Sequence, residues 1–267
     1  VSIPFTKMHG AGNDFVVIDH REPLLRGDVA GWIARVCDRR RGVGADGVLL
    51  LERDTAHDFA MRYYNADGGA ADFCGNGARC LARFALDLGL GKEGTVSFST
   101  AAGSKRATRL ADGRIALAFG AVEGGDAVRV EAAGRAFAGR LVGAGVPHFV
   151  IPVERVEDVP LAQWAPPLRA HARFGAPGAN VDFVARRPDG RVAMRTWERG
   201  VEGETLACGS GAIATAVWAV DDGVPAPVTV RTAGGDDLVV TFEKQQGRRE
   251  ATLTGPAVVS FTGEWPG

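Results

Sequence analysis

The chain has 267 residues, 46% of them hydrophobic and 24% charged, with a formal net charge of −1. That length allows one large domain or two of ordinary size, each able to bury a core, and the scattered, balanced charge gives no electrostatic footprint for nucleic acid. Four cysteines are too few for a disulfide scaffold, no apolar run nears the roughly 18 residues of a membrane span, and residues 3–19, with Lys7 and Asp14, do not read as a signal peptide. The expected setting is reducing and cytoplasmic, with no membrane partner.

In chain order, Phe5 to Met8 and Phe15 to Asp19 read as strands flanking a Gly-rich turn at Gly10 to Asn13. Val29 to Arg39 reads as an amphipathic helix with Ile33, Val36 and Cys37 on one face, followed by a solvated loop at Arg39-Arg40-Arg41. Val48 to Glu52 and Phe59 to Tyr64 read as strands, the second ending at the turn Asn65-Ala66-Asp67-Gly68-Gly69. A helix is expected from Gly75 to Leu88, stopped by Gly89, then a meander at Val96 to Ser99, Arg106 to Leu110 and Arg114 to Phe119. The second half follows the same order. Strands lie near Arg140 and Phe149, a helix near Leu161, strands at Val181 to Ala185 and Ala193 to Trp197, and a helix from Gly209 to Val220. Strands at Val228 to Thr232, Leu238 to Phe242, Glu250 to Thr254 and Val258 to Phe261 close the chain.

The order repeats because the sequence does. Cys74-Gly75-Asn76-Gly77-Ala78 returns as Cys208-Gly209-Ser210-Gly211-Ala212, 134 residues later, and half of the sixteen positions from each cysteine onward are identical without a gap. Gly10-Ala11-Gly12 returns as Gly143-Ala144-Gly145, Gly44-Ala45-Asp46 as Gly178-Ala179-Asn180, and Ser99-Thr100-Ala101 is echoed by Arg231-Thr232-Ala233. A domain-sized repeat excludes a short solenoid period. The expectation is an α+β fold of two pseudo-symmetric, similar domains, each a curled, mostly antiparallel sheet around a central helix. The first domain covers residues 1–119, with the strand in 256–267 returning to it, and the second covers 120–255. The active site is expected in the cleft between them, a common ligand site.

Each repeated cysteine directly precedes a Gly-x-Gly stretch that opens a helix. Backbone N–H groups there carry positive partial charge, can bind a carboxylate, and lower the pKa of a nearby thiol. Two such starts around one amino acid suit proton removal from one face of a carbon and return to the other, with Cys74 and Cys208 as base and acid. Cys37 and Cys80 read as core residues, and the cysteine spacings fit no zinc site. Gly42-Val43-Gly44-Ala45-Asp46-Gly47 matches a dinucleotide fingerprint literally, but a basic loop precedes it and strand-like Val48 to Leu51 follows, the wrong order for that motif. No cofactor or metal is expected, and the expected partner is a small-molecule amino-acid substrate.

The stretches MHGAGNDFVVID (8–19), RRGVGADG (40–47), YYNADG (63–68), CGNGARC (74–80), PHFV (147–150), NVDFV (180–184) and ERGVEGETLACGSGA (198–212) resemble the diaminopimelate epimerase family. The resemblance implies cofactor-independent conversion of LL- to meso-diaminopimelate by a thiolate/thiol pair, in lysine and peptidoglycan precursor synthesis, by a cytoplasmic homodimer. Carried over by position, Cys74 and Cys208 are the catalytic pair. Gly75, Asn76, Gly209 and Ser210 cradle the α-carboxylate. Asn13, Asn65, Asn180, Glu198 and Arg199 line the rest of the substrate, and His148 and Glu198 adjust the thiols. Gly47 and Val146 stand where many family members have Gln and Asn, and Phe261 where a Tyr is common near the family's dimer contact. A racemase of another amino acid with the same mechanism therefore stays open, as does a non-catalytic amino-acid binder.

Overall fold

The computed structural model describes residues 2–245 and 248–267 and divides the chain into two compact units. Unit 1 is Val1–Ala118 with Thr254–Gly267, and unit 2 is Phe119–Leu253.

Unit 1 begins with strands β1 (Ser2–Gly10) and β2 (Asn13–Asp19), helix α1 (Val29–Cys37), and strands β3 (Gly47–Glu52), β4 (Phe59–Asn65) and β5 (Ala70–Ala71). Helix α2 (Gly75–Asp87), β6 (Thr95–Thr100) and β7 (Gly103–Arg109) follow, and β8 (Ile115–Ala132) leads into unit 2. There the order is β9 (Arg135–Ala144), β10 (Val146–Pro152), α3 (Leu161–Arg169), β11 (Asn180–Arg186), β12 (Val192–Glu198), β13 (Gly203–Thr205), α4 (Gly209–Asp221), β14 (Val228–Arg231), β15 (Asp237–Gln245) and β16 (Arg248–Gly255). The last strand is β17 (Val258–Pro266).

Pairing repeats with the sequence. In unit 1, β1 pairs antiparallel with β2, β2 parallel with β3, β3 antiparallel with β4, and β4 parallel with β6. In unit 2, β9, β10, β11, β12 and β14 pair in the same senses. Register is kept as well: Phe15 opposes Gly47 and Phe149 opposes Val181, both members shifted by 134 residues. A parallel pair needs a crossover, which is where the helices sit: α1 and α3 bridge the first parallel pair of each unit, α2 and α4 the second. The other pairings described strand by strand are antiparallel, so each unit has the expected mostly antiparallel sheet.

The helices after the cysteines are the central ones. Ten of the thirteen residues of α4 are buried, and Ala, Gly and Thr dominate the run, so a sheet can curl closely around it. In α2 eight of thirteen are buried, among them Leu81 and Ala85, packed on Phe15, Leu49, Phe59 and Phe98. In unit 2, Phe149, Phe183 and Leu168 form a second core with α3.

Two expectations need correction. The helix read as Val29 to Arg39 stops at Cys37, because the Asp38 side chain accepts the N–H groups of Arg40 and Arg41 and turns the chain. The strand read as Arg114 to Phe119 continues to Ala132, so the chain passes between units inside β8. The helices expected after Val29 and near Leu161 are present as α1 and α3, of nine residues each. β17 pairs with β1 in unit 1 as the second part of β8 pairs with β9 in unit 2. Among the described residues, no helix is long and apolar enough to cross a membrane.

Candidate active site

In unit 1 the chemistry gathers at the start of α2. Cys74 has extended backbone angles, φ −138° and ψ 118°, and its carbonyl accepts the first helical bond, from Ala78 N–H at 2.8 Å. Its thiol is half-buried and donates to Asn13 Oδ1 at 3.5 Å. Asn13 reaches this place through the two-residue turn at Ala11 (φ 56°) and Gly12 (φ 86°), left-handed at both positions as a tight hairpin requires. Asp46 Oδ2 accepts from Asn13 Nδ2 at 2.7 Å, which turns the carbonyl of Asn13 toward the thiol and toward Asn76 Nδ2, 3.3 Å away.

Three cationic side chains brace this half-site. Arg79 is fully buried in α2 and donates to Asn76 Oδ1 at 2.9 Å, and to the carbonyls of Gly75 and Pro256 at 3.4 Å each. Arg39 bridges Asp14 and Asp46 at 2.7 and 2.6 Å, and Lys7 pairs with Asp14 at 2.6 Å. Burial raises the Asp14 carboxyl, but the hydrogen bonds from Arg39 and Lys7 outweigh it and hold the group below the usual carboxylate range.

In unit 2 the matching position is more enclosed. Cys208 precedes α4 with φ −113° and ψ 115° and is 4% exposed. Gly211 N–H donates to its sulfur at 3.4 Å, and Ser210 Oγ lies 3.5 Å from it. Behind Ser210 stands fully buried His148, with Nε2 3.0 Å from Ser210 Oγ and Nδ1 2.7 Å from Asp182 Oδ2. Thr196 Oγ1 donates to Asp182 Oδ1 at 2.7 Å. Asn180 Nδ2 approaches His148 Nε2 at 3.2 Å, and its Oδ1 accepts Arg199 N–H at 2.7 Å. Glu198 accepts from the Thr205 hydroxyl. Burial pushes the Cys208 thiol well above the ordinary thiol range, the charges of Glu198 and Asp182 push it further, and the bonds from Ser210 and Gly211 oppose them. Burial also raises the carboxyl of Glu198.

The residues expected from sequence thus form two clusters. Asn13, Cys74, Gly75 and Asn76 meet in unit 1, and His148, Asn180, Glu198, Cys208, Gly209 and Ser210 meet in unit 2, with Arg199 joined through its backbone. Asn65 is exposed at the end of β4, where its backbone bonds to Gly68 and Gly69 at 2.9 Å. Sequence reasoning missed Asp46, Arg79, Asp182, Thr196 and Thr205. Asp182 carried a usable signal: it is a charge set among Val181, Phe183 and Val184 of a buried strand, where a charge persists only with partners.

The profile of the diaminopimelate epimerase family matches residues 5–130 and 140–260. The chain belongs to the diaminopimelate epimerase family. It is 41% identical to the diaminopimelate epimerase of Gemmatimonas aurantiaca over 98% of this chain and 99% of that one. It is 36% identical to that of Aquifex aeolicus over 97% and 96%. By fold it is similar to a phenazine biosynthesis protein of the PhzF family from Enterococcus faecalis (TM-score 0.76, 16% identity, all of both chains). A hydroxyproline epimerase from Agrobacterium vitis is also similar (TM-score 0.72, 21% identity, 98% and 92%). As a member of the epimerase family the chain is an isomerase, and its sheet-dominated α+β architecture is the one expected from its repeat.

Proposed function

We propose that this epimerase converts LL-diaminopimelate to meso-diaminopimelate without a cofactor, supplying a lysine and peptidoglycan precursor in the cytoplasm. The observation that carries the reading is the pair of thiols standing in register before the first turns of two buried helices. An α-proton is weakly acidic, so the enzyme must stabilise charge that develops toward the carboxylate. The helix starts at Gly75-Asn76 and Gly209-Ser210 supply oriented N–H donors for that charge. One cysteine, as thiolate, takes the α-proton and the other, as thiol, gives one to the opposite face; the roles exchange in reverse. Asn13, Asn65, Asn180, Glu198 and Arg199 hold the rest of the substrate, with the Arg199 guanidinium suited to its distal carboxylate.

The test is proton NMR in D₂O with LL-diaminopimelate and reductant. The α-proton signal is lost and the meso isomer appears in the wild type, and neither happens in Cys74→Ala or Cys208→Ala. Exchange with another amino acid and none with diaminopimelate would replace the substrate. Binding without exchange would make the protein a binder.

A homodimer through β17 completes the proposal. Val258, Val259 and Phe261 are exposed on this strand, and Phe261 is 49% exposed. Exposed apolar side chains grouped in this way invite contact with a second copy. Mass in solution is that of a dimer, and Phe261→Asp shifts it toward monomer; a wild type that is monomeric at micromolar concentration would reject the dimer.

A further inference from the structure

Asp182 is a buried acid to which the two-thiol reaction assigns no task. It lies in β11 beneath the start of α4, at 0% exposure, so close that a side chain on Gly211 would begin 2.8 Å from its Oδ1. Its two oxygens are used in full view of the thiol: Oδ1 accepts from Thr196 and Oδ2 faces His148 Nδ1.

The surrounding bonds fix the tautomer of His148 and the direction of the Ser210 hydroxyl. A carboxylate flanking Nδ1 can only accept, so Nδ1 carries the hydrogen. Asn180 leads to the same tautomer independently. Its Oδ1 is held by Arg199 N–H at 2.7 Å, so its amide nitrogen must face His148 Nε2, and that nitrogen must accept. With Nε2 bare, the Ser210 hydroxyl at 3.0 Å donates to it. A Ser210 oxygen whose own hydrogen points at His148 offers lone pairs to the Cys208 thiol across 3.5 Å. The donors run from Ser210 to His148 to Asp182, with Ser210 open to accept from Cys208.

We propose that Asp182 is a positioning residue: by fixing the His148 tautomer it turns Ser210 into an acceptor for the Cys208 proton, so the resting enzyme holds Cys208 as the thiol that donates. No bond is made or broken in setting this state. The inference deepens the two-thiol reading and rests on it for its catalytic meaning, while the tautomer itself does not depend on any substrate. The groups facing the thiol are Asp182 from β11, Glu198 from β12 and His148 from β10; Glu198 bonds to the Thr205 hydroxyl and is a second acceptor beside the Cys208 thiol.

The first test needs no variant. Protein labelled with ¹⁵N-histidine is examined by long-range ¹H–¹⁵N NMR, and His148, one of five histidines, is assigned by the signal missing in His148→Gln. The ring of His148 is expected to show a hydrogen on Nδ1 and none on Nε2; a hydrogen on Nε2 overturns the proposal whatever the substrate proves to be. The second test is Asp182→Asn, whose amide can donate to Nδ1 and reverse the tautomer, as Asp→Asn does in the Ser-His-Asp template. Its ring signals are expected to move toward the Nε2–H form. Its kcat falls at least about tenfold with KM within about twofold, and the pH profile of kcat shifts by about one unit, the equivalent of a tenfold change in proton affinity. A purely structural Asp182 would lower the amount of folded enzyme without moving KM, tautomer or pH profile. A folded Asp182→Asn protein with wild-type kcat and pH profile would overturn the proposal. If wild-type protein shows the Nδ1–H ring yet exchanges no α-proton of any amino acid, the epimerase reading fails while the tautomer stands.

Discussion

Gly77 and Gly211 are equivalent by sequence, each third after its cysteine, yet replacing them with alanine is expected to have different costs. At Gly211 the new Cβ would sit 2.8 Å from Asp182 Oδ1 and 3.2 Å from both Cys208 Cβ and Thr196 Oγ1. The first distance is about 0.6 Å inside the 3.4 Å at which ordinary contact begins. Asp182 cannot withdraw without lengthening a 2.7 Å bond to Thr196 or His148. Overpacking of this kind costs about 1–3 kcal/mol, against a gain of about 1 kcal/mol for Ala over Gly in a helix. Gly211→Ala is thus expected to lose about 0–2 kcal/mol, or up to roughly 8 °C in melting temperature, together with most of its activity because His148 and Cys208 are displaced. At Gly77 the Cβ would meet Leu49 Cδ2 at 3.1 Å and Phe15 Cζ at 3.4 Å. These are ends of side chains that can give by a few tenths of an ångström, so the helix gain offsets the crowding and Gly77→Ala changes stability by less than about 1 kcal/mol. Thermal melts and α-proton exchange rates of both variants are the assay. A Gly211→Ala protein as active and as stable as the wild type, or a Gly77→Ala protein that loses more than Gly211→Ala, would refute the packing argument.

Arg79→Met leaves the oxygens of Gly75, Asn76 and Pro256 without their cationic donor and is expected to cost about 2–4 kcal/mol; urea melts check this. Native alkylation with iodoacetamide at neutral pH is expected to reach half-exposed Cys74 first. Cys37 and Cys80 stay unmodified, because burial pushes both thiols up to about 12, and peptide mass mapping reads the order. The Glu198 carboxyl is raised by burial, so folding favours its protonated form. Its contribution is greatest below the ordinary carboxyl pKa of about 4.3 and is lost as pH rises through the folded value. Glu198→Gln, which keeps the neutral form, is therefore expected to melt higher than wild type at pH 7 and equally at pH 4. A melting difference that grows on acidification would reverse that sign.

The sequence by itself determined the duplication, the two helix-opening cysteines and the alternation of strands with one long helix per half. These are local signals: turn glycines, apolar periodicity and repeated spacing are written into neighbouring residues. Asn13, His148 and Ser210 came from the resemblance to the family, through short motifs beside those turns. Only the tertiary structure decided how the polar groups pair. Asp182 meets His148 across 34 positions and Asp46 meets Asn13 across 33, contacts made by strand register rather than by spacing. The end of α1 was hidden because one Asp38 side chain, capturing two backbone N–H groups, outweighs the apolar periodicity around it. The length of β8 was hidden because its later residues alternate between buried and exposed only against β9, a partner that folding supplies. The two cysteines look alike in sequence and differ in structure for the same reason: Cys74 faces an asparagine carbonyl at a half-open helix start, while Cys208 is enclosed by Ser210 of its own helix and by two acids and a histidine brought from three strands.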